Sequence, residues 1–522
     1  ALDANTTGAN NVSVGRLTLD ANTTGGNNTA IGAQALGGNT TADNNTAVGF
    51  YALYANTTGV QNVAVGSYAL DSNTTGGNNI GIGYQCLQAN TDGEHNNAIG
   101  SYALDANTGG DNNTGIGIHA LGGNTTGSDN VAIGQDSLKS NTTSSYSTAI
   151  GNKALQNNTA AQNTAVGYNA LNANTSAEKN VAVGYYGLYA NTTGGSNTAV
   201  GHMALMTNTT ATENTAVGTE ALKVNTTGNS NTAVGRRALY SNTDQGFNTA
   251  IGEGTLFTNT GGASNTAVGT QALYANTSGD RNTAVGRNAL NSNTTANDNV
   301  AIGNDAMEDN TTGHSNVAIG QNALHNNNSS YNVAIGEGVM TTATTSQYNT
   351  AVGYAALDAS NADHNTAIGY NASGAVTTGH SNTSVGYNAL DSCTTGTHNV
   401  AVGRQAADGI TTGSNNVAIG YDSAGTGVGN VQTSSNNICL GNNDSTNAYI
   451  KIDWTVTSDK RDKADITPFT AGLSWINKLN PVTFKWDMRC DYEDGRTPDG
   501  THKKNKLNLG LLAQDELEVE KE

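Results

Sequence analysis

Adjacent pairs of small apolar residues recur along most of the chain, and polar turn residues separate them. One unit reads N-T-A-V-G-x-x-A-L-x-x-N-T-T-G-x-x, and the glycine of its A-V-G returns at every seventeenth position between Gly15 and Gly441. The interval is one residue shorter at three places and four residues longer before the last copy. A nearly fixed period of this length is typical of stacked repeats, in which each unit covers the next.

The repeat unit favours β-structure over helix. Gly and Asn recur too often for a stable helix, and the apolar residues lack a 3.6-residue periodicity. We therefore expect two short strands in each unit, one around A-V-G and one around A-L. The N-T-T-G segment has turn chemistry, because Asn tolerates left-handed backbone and Gly accepts positive φ. The shortened units lose their residue in or just after this turn, as at 158–161 and 360–363.

An Asn column runs through the repeats, four residues before the repeat glycine, and Ser147 is its one exception. Its members, such as Asn62, Asn180 and Asn316, are suited to a ladder of stacked side-chain amides. Residues 1–441 are therefore predicted to form an all-β parallel β-solenoid, with one coil of about seventeen residues per rung. Rungs about 4.8 Å apart give a rod of roughly 120 Å.

The apolar pairs also predict that the chain associates with other copies of itself. Pairs such as Ala64–Val65 and Ala69–Leu70 are adjacent in sequence. Adjacent residues of a strand point to opposite faces, so one member of each pair faces the coil interior and the other faces outward. The outward side is best buried against a sister chain, and we expect an oligomer.

The composition changes abruptly near residue 450. All three Trp and all three Pro follow this point. Residues 458–522 hold 11 Lys/Arg and 13 Asp/Glu, whereas the preceding residues hold the other 11 and 28. Such a shift marks a change of domain. We predict a solenoid shaft over residues 1–441, a β connector over 442–457 and a second domain over 458–522.

Several partner and site classes are disfavoured by the sequence. The net charge of −19 argues against nucleic acid and anionic membranes as partners. No apolar run reaches the roughly 18 residues that a membrane-spanning helix needs, so membrane insertion is not expected. The nine His and the four Cys form no metal-ligand spacing, and we predict neither a metal site nor a cofactor. The cysteines are Cys86, Cys393, Cys439 and Cys490.

The segment from residue 458 carries an ordered set of motifs. It begins with S-D-K-R-D-K at Ser458, continues with D-I-T-P at Asp465 and L-N-P-V-T-F-K-W at Leu479, and ends with L-G-L-L-A-Q-D at Leu509. In this order the motifs resemble the intramolecular chaperone domain at the C-terminus of phage tail fibres and endosialidase tailspikes. The resemblance implies a small α+β domain that trimerises, helps a β-rich fibre to fold and then often cuts itself off.

By the same resemblance, the scissile bond lies between Thr457 and Ser458, with Ser458 as nucleophile and Lys463 as general base. A serine becomes nucleophilic when a base takes its proton, and a lysine near other cations can have a lowered pKa. The alternative is that this serine only caps a turn or a helix. We expect at most one self-cleavage per chain and no turnover enzyme. The chain is also expected to continue before Ala1 and beyond Glu522.

The repeats carry a second resemblance. The motif N-[TV]-A-[VI]-G is similar to the strand motif in the head domains of trimeric autotransporter adhesins, which form trimers of left-handed β-rolls. Taken with the chaperone resemblance, this implies a homotrimer.

Tyrosines recur one, two or five residues after the repeat glycine. Such a stripe either packs between rungs or stacks on sugars, and the sequence leaves both roles open. Its members include Tyr68, Tyr84, Tyr186, Tyr189, Tyr274 and Tyr354.

These observations favour a structural and adhesive protein. The leading interpretation is a phage tail fibre on the virion, which attaches to a host cell-surface receptor such as a glycan. A trimeric adhesin on a bacterial cell surface is the alternative, and an ice- or surface-binding solenoid with Thr columns is a third. A polysaccharide-degrading tailspike is disfavoured, because no pair of carboxylates recurs in a plausible pocket.

Overall fold

A computed structural model of the chain describes residues 2–425 and 431–446 and the backbone of two strands near the C-terminus. The chain forms two compact units, Ala1–Thr446 and Asn447–Glu522. The first unit contains one sheet of 26 parallel strands, each three residues long. The strands are β1 (Val12–Val14), β2 (Thr29–Ile31), β3 (Thr46–Val48), β4 (Val63–Val65), β5 (Ile80–Ile82), β6 (Asn97–Ile99), β7 (Thr114–Ile116), β8 (Val131–Ile133), β9 (Thr148–Ile150), β10 (Thr164–Val166), β11 (Val181–Val183), β12 (Thr198–Val200), β13 (Thr215–Val217), β14 (Thr232–Val234), β15 (Thr249–Ile251), β16 (Thr266–Val268), β17 (Thr283–Val285), β18 (Val300–Ile302), β19 (Val317–Ile319), β20 (Val333–Ile335), β21 (Thr350–Val352), β22 (Thr366–Ile368), β23 (Thr383–Val385), β24 (Val400–Val402), β25 (Val417–Ile419) and β26 (Ile438–Leu440).

Each strand pairs in parallel with the equivalent strand of the next coil. Thr198 of β12 lies beside Thr215 of β13, and the same register repeats along the unit. It also holds where a coil is one residue shorter, since Thr148 pairs with Thr164. The missing residues are therefore absorbed in the turns. The predicted parallel β-solenoid, with one seventeen-residue coil per rung, is confirmed.

The strands alternate between the coil interior and the outside. Ala199, at the centre of β12, is fully buried, whereas its neighbours Thr198 and Val200 face outward and Val200 is 36% exposed. The two-residue period of a strand produces this pattern. The small alanine methyl suits an interior that is only one coil wide.

The glycine that ends each strand is required by the stacking of the coils. Gly201 has φ near +141°, a value that L side chains rarely adopt. A Cβ at this position would lie 2.5 Å from the carbonyl oxygen of Gly218 in the next coil. Both the backbone conformation and the close approach of successive coils therefore select glycine.

The A-L pair lies in a turn, so the prediction of two strands per coil is wrong. Leu205 has φ near +49°, and Met203, two residues earlier, has φ near +56°. The left-handed residues turn the chain so that Ala204 and Leu205 both face the interior and are fully buried. A left-handed leucine costs about 1–2 kcal/mol, and burial of its side chain offsets this by about 1.5–3 kcal/mol. The expected split between inward and outward faces thus applies to A-V and not to A-L.

The other half of the coil interior is polar and contains two Asn columns. In the N-T-T-G column, the side-chain amide of Asn73 donates to the side-chain oxygen of Asn56 at 2.9 Å and to the carbonyl of Gly76 at 2.9 Å. In the column four residues before the repeat glycine, the backbone N–H of Asn62 donates to the side-chain oxygen of Asn45 at 2.9 Å. The side-chain amide of Asn62 donates to the same Gly76 carbonyl at 2.9 Å. The two columns therefore meet at one turn carbonyl here and in most coils up to Asn327. Beyond it the N-T-T-G column continues without asparagine, as Ala343, Ser360, Val376, Cys393 and Ile410.

These bonds refine the prediction of an Asn ladder. The predicted column, with Asn62, Asn180 and Asn316, is buried and aligned from coil to coil. Its rungs are mainly bonds from backbone N–H groups to side-chain oxygens. The ladder of side-chain amides bonded to one another lies in the N-T-T-G column, which the sequence pattern predicts only as a turn. Buried polar groups need hydrogen bonds, and the ladders supply them for most of their members. Asn141 Oδ1 and Asn180 Nδ2 are exceptions, since both are buried without a partner among the described residues.

In the second unit, the described strands β27 (Val482–Phe484) and β28 (Asn508–Gly510) pair antiparallel. The predicted α+β fold of residues 458–522 and most of the predicted connector lie outside the described residues, so these domain boundaries stay predictions. Where the structure describes the chain, it has no helix long and apolar enough to cross a bilayer.

Candidate interaction surfaces

The outward residues of the 26 strands form one continuous surface, which we call the strand face. The third strand residue is Val or Ile in every coil except at Leu440. The first is Thr, Val or Ile except at Asn97, so neither column contains a charged residue. Many of the third-position side chains are about two-fifths exposed, as for Ile251 at 40%. An exposed apolar column of this length is the kind of patch that marks a protein contact.

A second surface, the corner face, consists of the residues one, two and five places after each repeat glycine. Tyr354, Tyr370 and Tyr387 follow three successive glycines, and their rings stack with centroids 5.2 Å apart and planes 12° apart. Arg404 continues the column, with its guanidinium 5.8 Å from the Tyr387 ring centroid and 5.4 Å from that of Tyr421. The rings thus pack between rungs, which is one of the two roles that the sequence leaves open. About half of each ring stays exposed.

Charged residues gather on the corner face around β13 to β15. The Glu220 carboxylate accepts a hydrogen bond from Lys223 Nζ at 2.7 Å and one from Arg237 Nε at 2.8 Å. These two donors lower the pKa of Glu220 below its usual value. In the next coil Arg236 pairs with Glu253. Three cations and two anions give this cluster a local charge of +1, although the whole chain carries −19.

A notch lies beside this cluster. The residue two places after the repeat glycine has left-handed backbone in each coil from Gly15 to Gly420 and normally carries a side chain, but here it is Gly254, with φ near +64°. The position lies between those of Arg237 and Gln271 in the neighbouring coils. The missing side chain opens a cavity of about 310 Å³. Its walls also include Arg236, Glu253, Phe257, Thr270 and Tyr274.

The cysteines of the described residues do not form a site. Cys86 and Cys393 are buried in the coil interior, and Cys439 is half-buried in β26. Burial raises the pKa of the Cys86 thiol to about 12 and that of Cys393 to about 11. No cluster of metal-ligating side chains occurs in the part of the chain that the structure describes.

The predicted catalytic residues Ser458 and Lys463, and the Thr457–Ser458 bond, lie outside the described residues, so their roles stay predictions. The notch and the charged cluster beside it were not predicted from the sequence. One signal was available there. In the column two places after the repeat glycine, only Gly254 and Gly338 lack a side chain, and only the coil of Gly254 follows an Arg-Arg pair.

Comparison with known proteins identifies a family at the C-terminus. Residues 458–521 match the model of the family described as chaperone of endosialidase. The curated proteins and the solved structures give no match to the chain. The motifs that begin at Ser458 are therefore confirmed as those of an endosialidase-type chaperone, and this chain joins such a sequence to a shaft of parallel β-solenoid coils.

Proposed function

We propose that this protein is a homotrimeric tail fibre that carries host attachment away from a phage virion. The observation that supports this best is the combination of a 26-rung solenoid with an uncharged outer strand face and a C-terminal chaperone sequence. The proposal assigns the strand face to the contact between chains. It assigns the corner face, with its rings and charges, to the outside of the fibre.

The size of the strand face fits a stable contact. Three residues at about 3.3 Å each make it about 10 Å wide, and 26 rungs make it roughly 120 Å long. The resulting area of about 1,200 Å² per chain exceeds the roughly 800 Å² per partner of a standard interface. The absence of charged residues from both strand columns is also typical of an interface core. The charged residues of the shaft lie at other positions, where they keep the surface of the fibre soluble.

The chaperone segment has two roles in this proposal. It brings three chains together, so that coils which cannot cover their strand faces alone fold against one another. It then releases itself once. The Ser458 hydroxyl attacks the Thr457 carbonyl carbon while Lys463 takes the hydroxyl proton, and the same proton goes to the departing amide nitrogen. Water then hydrolyses the ester, which leaves a carboxylate on Thr457 and restores the Ser458 hydroxyl.

The other functional classes are less well supported. In the N-T-T-G turns the first Thr donates its hydroxyl to the next coil, as Thr226 Oγ1 does to the Thr243 carbonyl at 2.9 Å. These hydroxyls are thus engaged within the chain, which weakens the ice-binding alternative. A trimeric adhesin on a bacterial surface would use the same shaft and chaperone. The genes that neighbour the coding sequence distinguish it from a virion fibre.

The test is the mass of the full chain in solution and its binding to cells. Sedimentation equilibrium of the uncleaved Ser458→Ala variant should give three times 53.1 kDa, and deletion of residues 458–522 should reduce the yield of trimer. The labelled trimer should bind saturably to some members of a panel of intact bacteria. A stable, folded 53.1 kDa monomer would contradict the assignment of the strand face.

A further inference from the structure

We propose that the notch at Gly254 binds an acidic saccharide through the carboxylate of one sugar unit. This inference rests on the proposed function, since it names the receptor chemistry that the corner face would recognise. It goes further in assigning a site to named residues.

The notch is a local exception in a regular surface. Left-handed positions two places after the repeat glycine carry Tyr186, Met203, Glu220 and Arg237 in the four preceding coils. At Gly254 this side chain is absent, and an added Cβ would lie 3.5 Å from the Tyr274 ring. That distance is ordinary van der Waals contact, so the backbone does not require glycine through a clash. The gap therefore leaves space for a ligand without strain in the coil.

The charge around the notch suits a carboxylate. Arg236 and Arg237 both line it, and their side chains remain 59% and 47% exposed despite their ion pairs with Glu253 and Glu220. A guanidinium has five N–H donors, so each arginine can hold its partner and still donate to a ligand. Charged hydrogen bonds of this type are the strong ones. An anionic ligand meets a local excess of positive charge here, on a chain whose net charge is −19.

The remaining walls suit a sugar. Thr270 and Gln271 are exposed and offer a hydroxyl and an amide, which can pair with sugar hydroxyls. Phe257 and Tyr274 stack on each other, with centroids 5.2 Å apart, and form an apolar wall for the C–H groups of a sugar ring. A volume of about 310 Å³ is at the lower end of the range for small-ligand pockets. It fits one sugar unit of a longer chain that runs on across the corner face.

The chain provides its own control in Gly338. This glycine occupies the same position in its coil, with φ near +66°, and a Cβ there would meet nothing within 4 Å. In the coil before it, Gln321 and Asn322 stand at the positions that Arg236 and Arg237 occupy before Gly254. Thr341 stands where the notch at Gly254 has Phe257. An Asn is native to this column at Asn288 and Asn322, where φ is near +55°. Gly254→Asn and Gly338→Asn are therefore matched changes that the coil accepts.

The experiment measures binding of the full chain to an array of uronate oligosaccharides from pectin, alginate and hyaluronan. The same oligosaccharides after reduction of their carboxyl groups are printed beside them. Wild type and Gly338→Asn should bind at least one carboxylated oligosaccharide and should bind its reduced form at least about tenfold more weakly, because a charged hydrogen bond is lost. Gly254→Asn and Arg236→Gln should each show a similar loss.

Two results would overturn the inference. One is the absence of wild-type binding to every carboxylated oligosaccharide on the array. The other is equal binding by Gly254→Asn and wild type, which would place any sugar site elsewhere. Trimer mass and cell binding are measured on the same samples. If Gly254→Asn still forms trimers and binds cells as wild type does, the notch is excluded while the proposed function stands.

Discussion

The side-chain amide of Asn225 donates to the side-chain oxygen of Asn208, one coil earlier, at a distance of 3.0 Å. Asn225 accepts in turn from Asn242, one coil later, at 2.9 Å. Both ends of one amide are thus engaged along the shaft, and its second N–H donates to Gly228 at 3.0 Å. A fully buried amide held in this way links three coils.

Asn225→Ala should therefore be strongly destabilising. It removes three hydrogen bonds and leaves buried groups on Asn208, Asn242 and Gly228 without this partner, at a total cost of about 3 kcal/mol or more. Hydrogen–deuterium exchange should show faster exchange in peptides that cover residues 208–242. The exposed Asn157 serves as control, and Asn157→Ala should leave exchange in its own coil unchanged. Equal protection in the two variants would mean that the amide ladder contributes nothing.

Charges on the strand face should prevent association. The triple variant Ile133→Lys, Ile251→Lys, Ile368→Lys places three ammonium groups along the face of each chain. Each unpaired charge buried in an interface costs about 3 kcal/mol or more, so sedimentation velocity should show monomers in place of trimers.

The matched control also replaces three exposed apolar residues, at a different position of the coil. Tyr146, Phe247 and Tyr348 each lie twelve places after a repeat glycine, with left-handed backbone that Lys179 adopts in the same column. Their replacement by Lys should leave the trimer intact. Loss of the trimer in this control but not in the isoleucine variant would move the interface to the other surface.

Asp408→Asn should stabilise the shaft at neutral pH. One carboxylate oxygen of Asp408 is buried without a hydrogen-bond partner among the described residues. Burial, together with the nearby Asp422, raises the pKa of Asp408. Asn occupies the same coil position at Asn172 and Asn291. Removal of the charge should raise the free energy of unfolding by about 1 kcal/mol. The measurement is the midpoint of urea unfolding, which should be higher for the variant.

The pH dependence of stability distinguishes removal of the Asp408 charge from a change in packing. A raised pKa means that the folded chain binds a proton more tightly than the unfolded chain does. The contribution of Asp408 to the free energy of unfolding is therefore fully present below its usual pKa of 3.8. It is lost as the pH rises through the pKa that Asp408 has in the folded chain. The advantage of Asp408→Asn should accordingly be present at pH 7 and disappear below pH 3.8. An advantage that does not change with pH would show that the charge is not its source.

Ser458→Ala should abolish self-cleavage and leave trimer assembly intact, because its hydroxyl serves chemistry and not packing. Lys463→Ala should do nearly the same by removing the base. Gel electrophoresis of the denatured full-length protein beside both variants measures this. Equal cleavage in wild type and Ser458→Ala would show that the nucleophile is misassigned. The absence of any wild-type fragment would mark this copy as a non-cleaving chaperone.

Cys86 and Cys393 should be unreactive in the folded shaft. Their raised pKa values of about 12 and about 11 leave almost no thiolate at pH 8, and thiolate is the reactive form. Among the three cysteines that the structure describes, iodoacetamide followed by mass spectrometry should label the half-buried Cys439 first and the two buried thiols only in denaturant. Rapid labelling of Cys86 in the native protein would contradict its place in the coil interior.

The repeat sequence predicts the fold class well. In a stacked solenoid, residues one sequence period apart are also the residues that pair between neighbouring strands. A glycine at every seventeenth residue places Gly201 against Gly218 whatever the path of the chain between them. The alternation within A-V-G likewise follows from strand geometry alone. For these reasons the parallel stacking and the tolerance of short coils could be derived from the sequence. Alternation alone does not say which member of A-V faces outward, and only the structure shows that it is the Val or Ile.

The path of the chain after the glycine could not be derived in this way. Propensity disfavours left-handed leucine, so A-L is assigned to a strand, yet burial of Leu205 outweighs the backbone cost. The N-T-T-G asparagine is typical of a turn, and only the stacking of coils turns Asn73 into a rung of an amide ladder. The notch at Gly254 was missed because its one sequence signal, a glycine in a variable column after an Arg-Arg pair, matches no known binding motif.

The constant register has a consequence for how such fibres change over generations. Coils that differ in length by one residue stack without a break in pairing, as at β9 and β10, so one coil can be exchanged for another. Near-identical repeats in coding DNA recombine unequally, and each event adds or removes whole coils. The length of the shaft can therefore increase or decrease in steps of about 5 Å. A coil that carries a notch like that at Gly254 can be duplicated at another position along the shaft.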